Sequence, residues 1–343
     1  MHRKGKAKAA FLLLLLLAAM LPGCRASETA AETEETAVLI TETTETKTEP
    51  AETEKPAAEL TEPQWEGDYI KNILIVGQAS RGGEEAKLAD SMILVTLNPK
   101  NNTITLTSFL RDSFVTIPSY AGRLCGGQNR INIIYHLGCR WNGAYGGMEM
   151  MDKCLKENFS VQVDHNVEID FESFQHIIDA IGGIDLILSE QERDYLLEDK
   201  TGYNDYVTAG KNHLNGYTAL CYARMRKPDS DVQRAQRQRK VISTVLHQSR
   251  RLKIHELARL AGTVSQLVMT DMYPGEMTEL IAMGIPMLKN LDLRTAQCPA
   301  PDTYWWSTIP LDGYMSNVVK FDLQKNREIL EKRCELPVSE NEE

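Results

Sequence analysis

The sequence lacks an apolar run long enough for a permanent membrane-spanning helix: residues 9–20 are unbroken but fall short of the roughly 20 residues a bilayer core demands. Its cysteines show no zinc-like spacing, and His136, His165, His176 and His213 stand at no metal-like spacing. Each of these histidines reads as a surface or hydrogen-bonded core residue. Ser80 has no general base at a recognisable spacing, which excludes a serine hydrolase. No internal repeat is visible. An excess of positive charge is also missing, since the formal net charge is −10.

What is present begins with a leader. Arg3, Lys4, Lys6 and Lys8 precede the apolar run, and Leu21-Pro22-Gly23-Cys24 follows it. A basic segment, an apolar segment and small residues at a cut site make a secretory signal over residues 1–24. Leu-x-Gly-Cys resembles a lipoprotein processing box, in which Cys24 becomes the lipidated first residue. An ordinary cleaved signal and an uncleaved short anchor are the alternatives. All three place the remainder on the extracytoplasmic face of the cell membrane, tethered there at the N-terminus in two of the three.

Residues 25–66 are dominated by Thr, Glu and Ala, with three prolines. Such a segment buries too little apolar surface to offset chain entropy, so a disordered acidic stalk is expected. Residues 27–66 hold twelve Glu against Lys47 and Lys55, a net of −10 that equals the charge of the whole protein. The acidity belongs to the stalk, and residues 67–335 are near balance. Those residues fit one α/β unit, followed by a disordered tail, 336–343. An exported chain on an acidic stalk argues against nucleic acid as a partner. Six cysteines beyond Cys24 permit disulfides in an oxidising compartment; Cys125 with Cys139 is the expected pair, and Cys154 and Cys221 read as buried thiols.

Residues 73–76, 91–97 and 103–107 read as strands, the first two without clean alternation, which suits a sheet covered on both faces. Residues 146–159 carry a helical pattern and 161–169 a strand. Phe174, Ile177, Ile178 and Ile181 form one stripe of a helix over 171–181, stopped by Gly182-Gly183, and 184–188 returns as a strand. Strand, helix and strand in this order suggest a βαβ crossover. Helical stretches follow at 214–222, 232–249 and 254–268. The expected architecture is a three-layer α/β/α domain with a mixed central sheet. Trp305-Trp306 reads as packing or a surface turn ahead of a sugar-stacking pair.

Basic residues concentrate between Tyr222 and Lys240. On a helix starting near Asp231, Arg234, Arg237 and Gln238 share a face that continues into Val241 and Val245, so the two arginines point toward the rim of the core. Arg239 and Ser243 fall on a wetter face. Arginines at the first turns of a helix, with its positive dipole end, make an anion site. Arg224 and Arg226 face one way if their segment is extended. Arg111 follows a strand end, with Asp112 placed to hold its guanidinium. The competing reading is a solvated basic helix making surface ion pairs.

Eight segments in order, from about Asn72 to Lys240, resemble the LytR-CpsA-Psr family. They are residues 73–81, Ala89-Asp90-Ser91-Met92, residues 108–112, Arg130-Ile131-Asn132 with Tyr135, Gly146-Gly147, Gly182-Gly183-Ile184, residues 222–226, and Asp231-Val232-Gln233-Arg234 leading into Arg237-Gln238. The resemblance implies a transferase that moves a glycopolymer from a polyprenyl pyrophosphate carrier onto peptidoglycan, with Mg²⁺, at the membrane surface. It implies that Arg111, Arg224, Arg226, Arg234, Arg237 and Gln238 hold the pyrophosphate. Asp90 binds Mg²⁺ or helps deprotonate the attacking hydroxyl, and Asp112, Asn132 and Asp231 support the site.

The sequence departs from the family pattern where an acidic metal ligand is expected, at Ala79. Leu88 stands for an arginine and Leu110 for a proline. Gln78, Ser80, Glu84 and Glu85 are candidates to compensate. An active transferase with a reduced metal site and a member that binds polyprenyl-linked phosphoglycans without turnover are therefore both carried forward.

Overall fold

A computed structural model describes residues 69–78, 88–120, 126–198, 204–225, 231–250, 252, 263–264, 266–289, 291–311 and 313–335. The leader, stalk and tail, and residues 254–262 and 265 of the helix expected at 254–268, lie outside the described residues; 266–268 are not helical.

Three strands open the domain: β1 (Lys71–Gln78), β2 (Ala89–Asn98) and β3 (Thr103–Phe109), each antiparallel to the next. Short β4 (Phe114–Thr116) and β5 (Gln128–Arg130) pair with each other and lead into α1 (Ile131–Phe159). Strand β6 (His165–Ile169) then joins β1 in parallel. Helix α2 (Phe171–Ala180), strand β7 (Ile184–Leu188), α3 (Glu190–Leu197), strand β8 (Gly210–Leu214), α4 (Gly216–Arg224) and α5 (Asp231–Ser249) follow. Strand β9 (Met269–Thr270), α6 (Pro274–Lys289), β10 (Asp292–Cys298), the hairpin β11 (Tyr304–Leu311) with β12 (Tyr314–Phe321), and α7 (Leu323–Glu335) complete the order.

The main sheet runs β10-β3-β2-β1-β6-β9. Side chains alternate across a strand, and here both faces are covered. Ile73, Ile75, Ile93 and Val95 meet residues of α4, α5 and α6, whereas Leu74, Val76, Met92 and Leu94 meet α1 and Leu330 of α7. Burial on both faces is why β1 and β2 show no alternation in sequence, and it gives the expected three layers.

The structure corrects several expectations. Strand β7 is not in the main sheet: it pairs antiparallel with β8, so β6, α2 and β7 make no crossover within one sheet. Its side chains alternate buried and exposed, as one-faced packing requires. The true parallel neighbours are β1 with β6 and β3 with β10. Helix α1 begins at Ile131, well before residue 146, and breaks at Asn142 (φ −146°, ψ 37°) and Gly143 (φ 55°, ψ −148°). The β6 strand starts only at His165 because Ser160 turns left-handed (φ 58°) to cap α1. Trp305 and Trp306 lie on β11 and are half exposed, neither packed nor in a turn.

Other expectations hold. Helix α2 spans Phe171–Ala180 and ends where Gly182 and Gly183 adopt φ of 85° and 88°. Cys154 is a buried thiol whose burial pushes its pKa up to about 12. The Cys125 half of the expected pair lies outside the described residues.

Candidate functional site

The strand directions bring the C-terminal ends of β1, β3, β6 and β10 to one edge of the sheet, together with the start of β2. That edge is where open α/β sheets present binding groups. It carries Asp90 at the start of β2 and Arg111-Asp112 in the turn after β3.

Arg111 sits among three carboxylates. Its Nη1 lies 3.3 Å from Asp90 Oδ1, and its Nε lies 3.3 Å from Asp231 Oδ2 and 3.6 Å from Asp112 Oδ2. Arg130 Nη1 reaches Asp112 Oδ1 at 3.7 Å, and Arg234 Nη2 reaches Asp231 Oδ1 at 3.2 Å. Arg234 Nη2 also donates to the Asp90 carbonyl at 3.5 Å. The backbone braces the turn, since Asn132 N–H donates to the Arg111 carbonyl and Val319 N–H to the Asp112 carbonyl.

These ion pairs are longer than the 2.7–2.9 Å of a tight charge-assisted bond. Arg111 Nε and Arg130 Nε, both buried, have no aligned hydrogen bond. The Nε donors of Arg111 and Arg130 are therefore held in place by charge without an aligned hydrogen bond. Burial lowers the Arg111 pKa, but the fields of Asp112, Asp231 and Asp90 outweigh it and the net direction is up. Arg111 stays charged. Asp112 goes to about 6, mainly because it is buried and because Asp231 crowds it, against the opposing pull of Arg111 and Arg130.

Helix α5 supplies the second half. Arg234 and Arg237 are buried on the face that continues into buried Val241 and Val245, as the spacing predicts. Gln238 Oε1 accepts from Ser91 Oγ at 3.0 Å, which fastens α5 beside Asp90. Arg237 turns elsewhere: its Nε lies 3.3 Å from Glu192 Oε1 and its Nη1 donates to the Met225 carbonyl at 3.0 Å. It lines a polar cavity of about 290 Å³ with Tyr222, Gln233 and Lys240.

Two expectations change here. Arg239 is buried, not on a wet face. Arg224 belongs to the last turn of α4, so its segment is helical, not extended; it lies exposed with its guanidinium 4.2 Å from the Phe171 ring centroid. Among the described contacts it does not join the Asp90–Arg111 group. Arg226, Ala79, Ser80, Glu84 and Glu85 lie outside the described residues. Gln78, offered as a compensating ligand, is buried at the end of β1.

The sequence reading assigned no role to Arg130 or Glu192. Arg130 stands inside a family-like motif, which is a usable signal. Glu192 lies 45 residues from Arg237 and only the fold joins them. Among the described residues, no three His, Cys, Asp or Glu side chains gather as a metal site, and no helix is long and apolar enough to cross a membrane.

The arrangement resembles known proteins at two levels. A polyisoprenyl-teichoic acid–peptidoglycan teichoic acid transferase of Bacillus mycoides is 32% identical over 177 residues, about half of each chain. The corresponding protein of Bacillus anthracis is 28% identical over 247 residues, 70% of this chain and 74% of its own. Among solved structures, a LytR-CPS2A-psr family protein with bound octaprenyl pyrophosphate lipid shares the fold at a TM-score of 0.55 and 21% identity, covering 79% of this chain and 92% of its own. Residues 32–327 match the LytR_cpsA_psr family, and the chain belongs to it.

Proposed function

We propose that the protein transfers a glycopolymer from a polyprenyl pyrophosphate carrier to a hydroxyl of peptidoglycan, forming a phosphodiester on the outer face of the membrane. The observation that carries the reading is the gathering of Arg111, Arg130 and Arg234 with Asp90 at one sheet edge of a family member. Guanidinium groups held at fixed positions suit phosphate oxygens, whose added charge in the transition state they stabilise without reorganising. The relatives are named for this transfer, and a structural neighbour holds the corresponding lipid. Behind the site, α5 leads into the apolar layer with Met277, Met283 and Met287 of α6. Flexible methionines adapt to irregular apolar partners, which suits the prenyl chain.

Mg²⁺ belongs to this reading. Asp90, whose Oδ1 lies 3.3 Å from Arg111 Nη1, would give it one carboxylate, with the remaining ligands coming from pyrophosphate and water; when bound, it would neutralise phosphate charge. Cys24 as a lipid attachment would tether the chain beside its carrier. The second reading, binding without turnover, is favoured by one observation: Ala79 supplies no carboxylate where the family pattern has one.

The test uses the full chain with Mg²⁺ and a short polyprenyl pyrophosphoryl disaccharide, following release of polyprenyl phosphate. Arg111→Ala is expected to lower turnover by about 10²- to 10³-fold, as loss of a charge-stabilising donor does. Activity that appears only in Ala79→Asp would replace the transferase reading with the binding one.

A further inference from the structure

The adjacent tryptophans of β11 are not absorbed by the anion site. Alternation sends Trp305 and Trp306 to opposite faces of the hairpin. The register places Trp306 opposite Val319, Thr308 opposite Asn317 and Pro310 opposite Met315 on one shared face. Val319 on that face is fully buried and packs with Leu110 and Ala235, the chain neighbours of Arg111 and Arg234. The same residue's N–H donates to the Asp112 carbonyl at 2.8 Å. The face that packs beside the Arg111 turn therefore continues outward through Trp306, which is 50% exposed.

We propose that this face, from Trp306 to Asn317, is the platform that receives the acceptor as an N-acetylated glycan chain. The proposal rests on the transferase reading. A sugar ring offers a C–H face that packs on an aromatic ring and a rim of hydroxyl and acetamido groups that need polar partners. Trp306 supplies the first. Thr308 and Asn317, joined by a 2.7 Å hydrogen bond from Thr308 Oγ1 to Asn317 Oδ1, supply the second one register step farther out. A lipid surface fits less well. The hairpin end is apolar, with Tyr314 and Met315 exposed beside Pro310 and Leu311, but the Trp306 face inboard of it is interrupted by Thr308 and Asn317, and Lys320 stands opposite Trp305.

The chemistry favours the same placement. The acceptor O–H attacks the glycan-bearing phosphorus; the new P–O bond forms as the bond to polyprenyl phosphate breaks, and the hydroxyl proton leaves to a base. In-line displacement sets the nucleophile opposite the leaving group. The leaving lipid phosphate faces the apolar layer shared by Val241 and Val245 of α5, while the hairpin meets α5 at Ala235. The acceptor enters from the hairpin side.

The experiment titrates the full chain by calorimetry with a phosphate-free tetrasaccharide of alternating N-acetylglucosamine and N-acetylmuramic acid. Trp306→Ala is expected to weaken binding about tenfold, Trp306→Phe to restore most of it, and Trp305→Ala to change it less than twofold. In turnover, Trp306→Ala is expected to raise the acceptor KM about tenfold while kcat and the donor KM hold. Absence of saccharide binding in the parent overturns the proposal. So do equal losses in the two alanine variants, or loss of co-sedimentation with phosphatidylglycerol vesicles at unchanged saccharide binding. Selective saccharide binding without turnover would retain the platform and reject the transferase.

Discussion

Asp152 shows how one side chain can make stability depend on pH. It accepts from the buried Asn166 amide at 3.0 and 3.1 Å, and the same amide donates to Asp271 at 2.9 Å. Burial, opposed by the Asn166 bond and reinforced by Asp271, Glu149 and Asp164, raises the Asp152 pKa to about 7. In that range the folded protein holds a proton that the unfolded chain has released, so its stability falls as pH rises from about 4 through about 7. Asp152→Asn removes the titration. The Tm of the variant minus that of the parent is expected to grow between pH 5 and pH 8 by about 2–6 °C, equivalent to about 1–2 kcal/mol. Thermal melts across that range check it; a difference independent of pH would remove the buried charge as the cause. Residue-level legibility followed distance along the chain. Arg234, Arg237 and Gln238 were readable because helical spacing fixes their common face. The Arg111–Asp231 and Arg237–Glu192 pairs were not, because tertiary folding alone brings them together.

At the scale of elements, α1 carries the tightest geometry. Past its break at Asn142 and Gly143 the chain returns so closely that a Cβ on Gly138 would land on the Gly146 carbonyl, and 2.7 Å from Met150 Cβ. Backbone cannot yield as a flexible side chain does. Gly138→Ala is expected to destabilise by about 2–3 kcal/mol, read as a lower urea midpoint at unchanged slope. Gly275→Ala, on α6 with open space around the added methyl, serves as the control and is expected to be neutral or slightly stabilising. Helices α2, α4 and α5 were legible because apolar periodicity and glycine stops are local signals. The first part of α1, from Ile131 to its break, was not read as helix because Gly138 and Gly143 interrupt its apolar pattern, and sequence does not reveal that two segments cross. Strand β7 was misassigned because a short apolar run does not identify its partner. The β4–β5 and β11–β12 pairs likewise carry too few residues of clean alternation to read.

For the molecule as a whole, the strand order mixes early and late sequence. Strand β10 forms the β3 edge of the main sheet, and β12 bonds to the turn that holds Arg111. Two truncations of the full chain separate what this fold needs from what it does not. Removal of residues 1–66 is expected to leave Tm within about 2 °C, since their Thr- and Glu-rich sequence offers too little apolar surface to pack on the domain. Removal of residues 290–343 leaves the β3 edge unpaired and is expected to abolish soluble expression, with solubility after lysis as the readout. Synthesis runs from the N-terminus, so β1 to β3 emerge early and β10 to β12 come last. A half-made chain thus holds Arg111 on a turn without its brace and a sheet with an open side. A complete site therefore arrives only once β12 is made, which ties its maturation to completed synthesis of the domain.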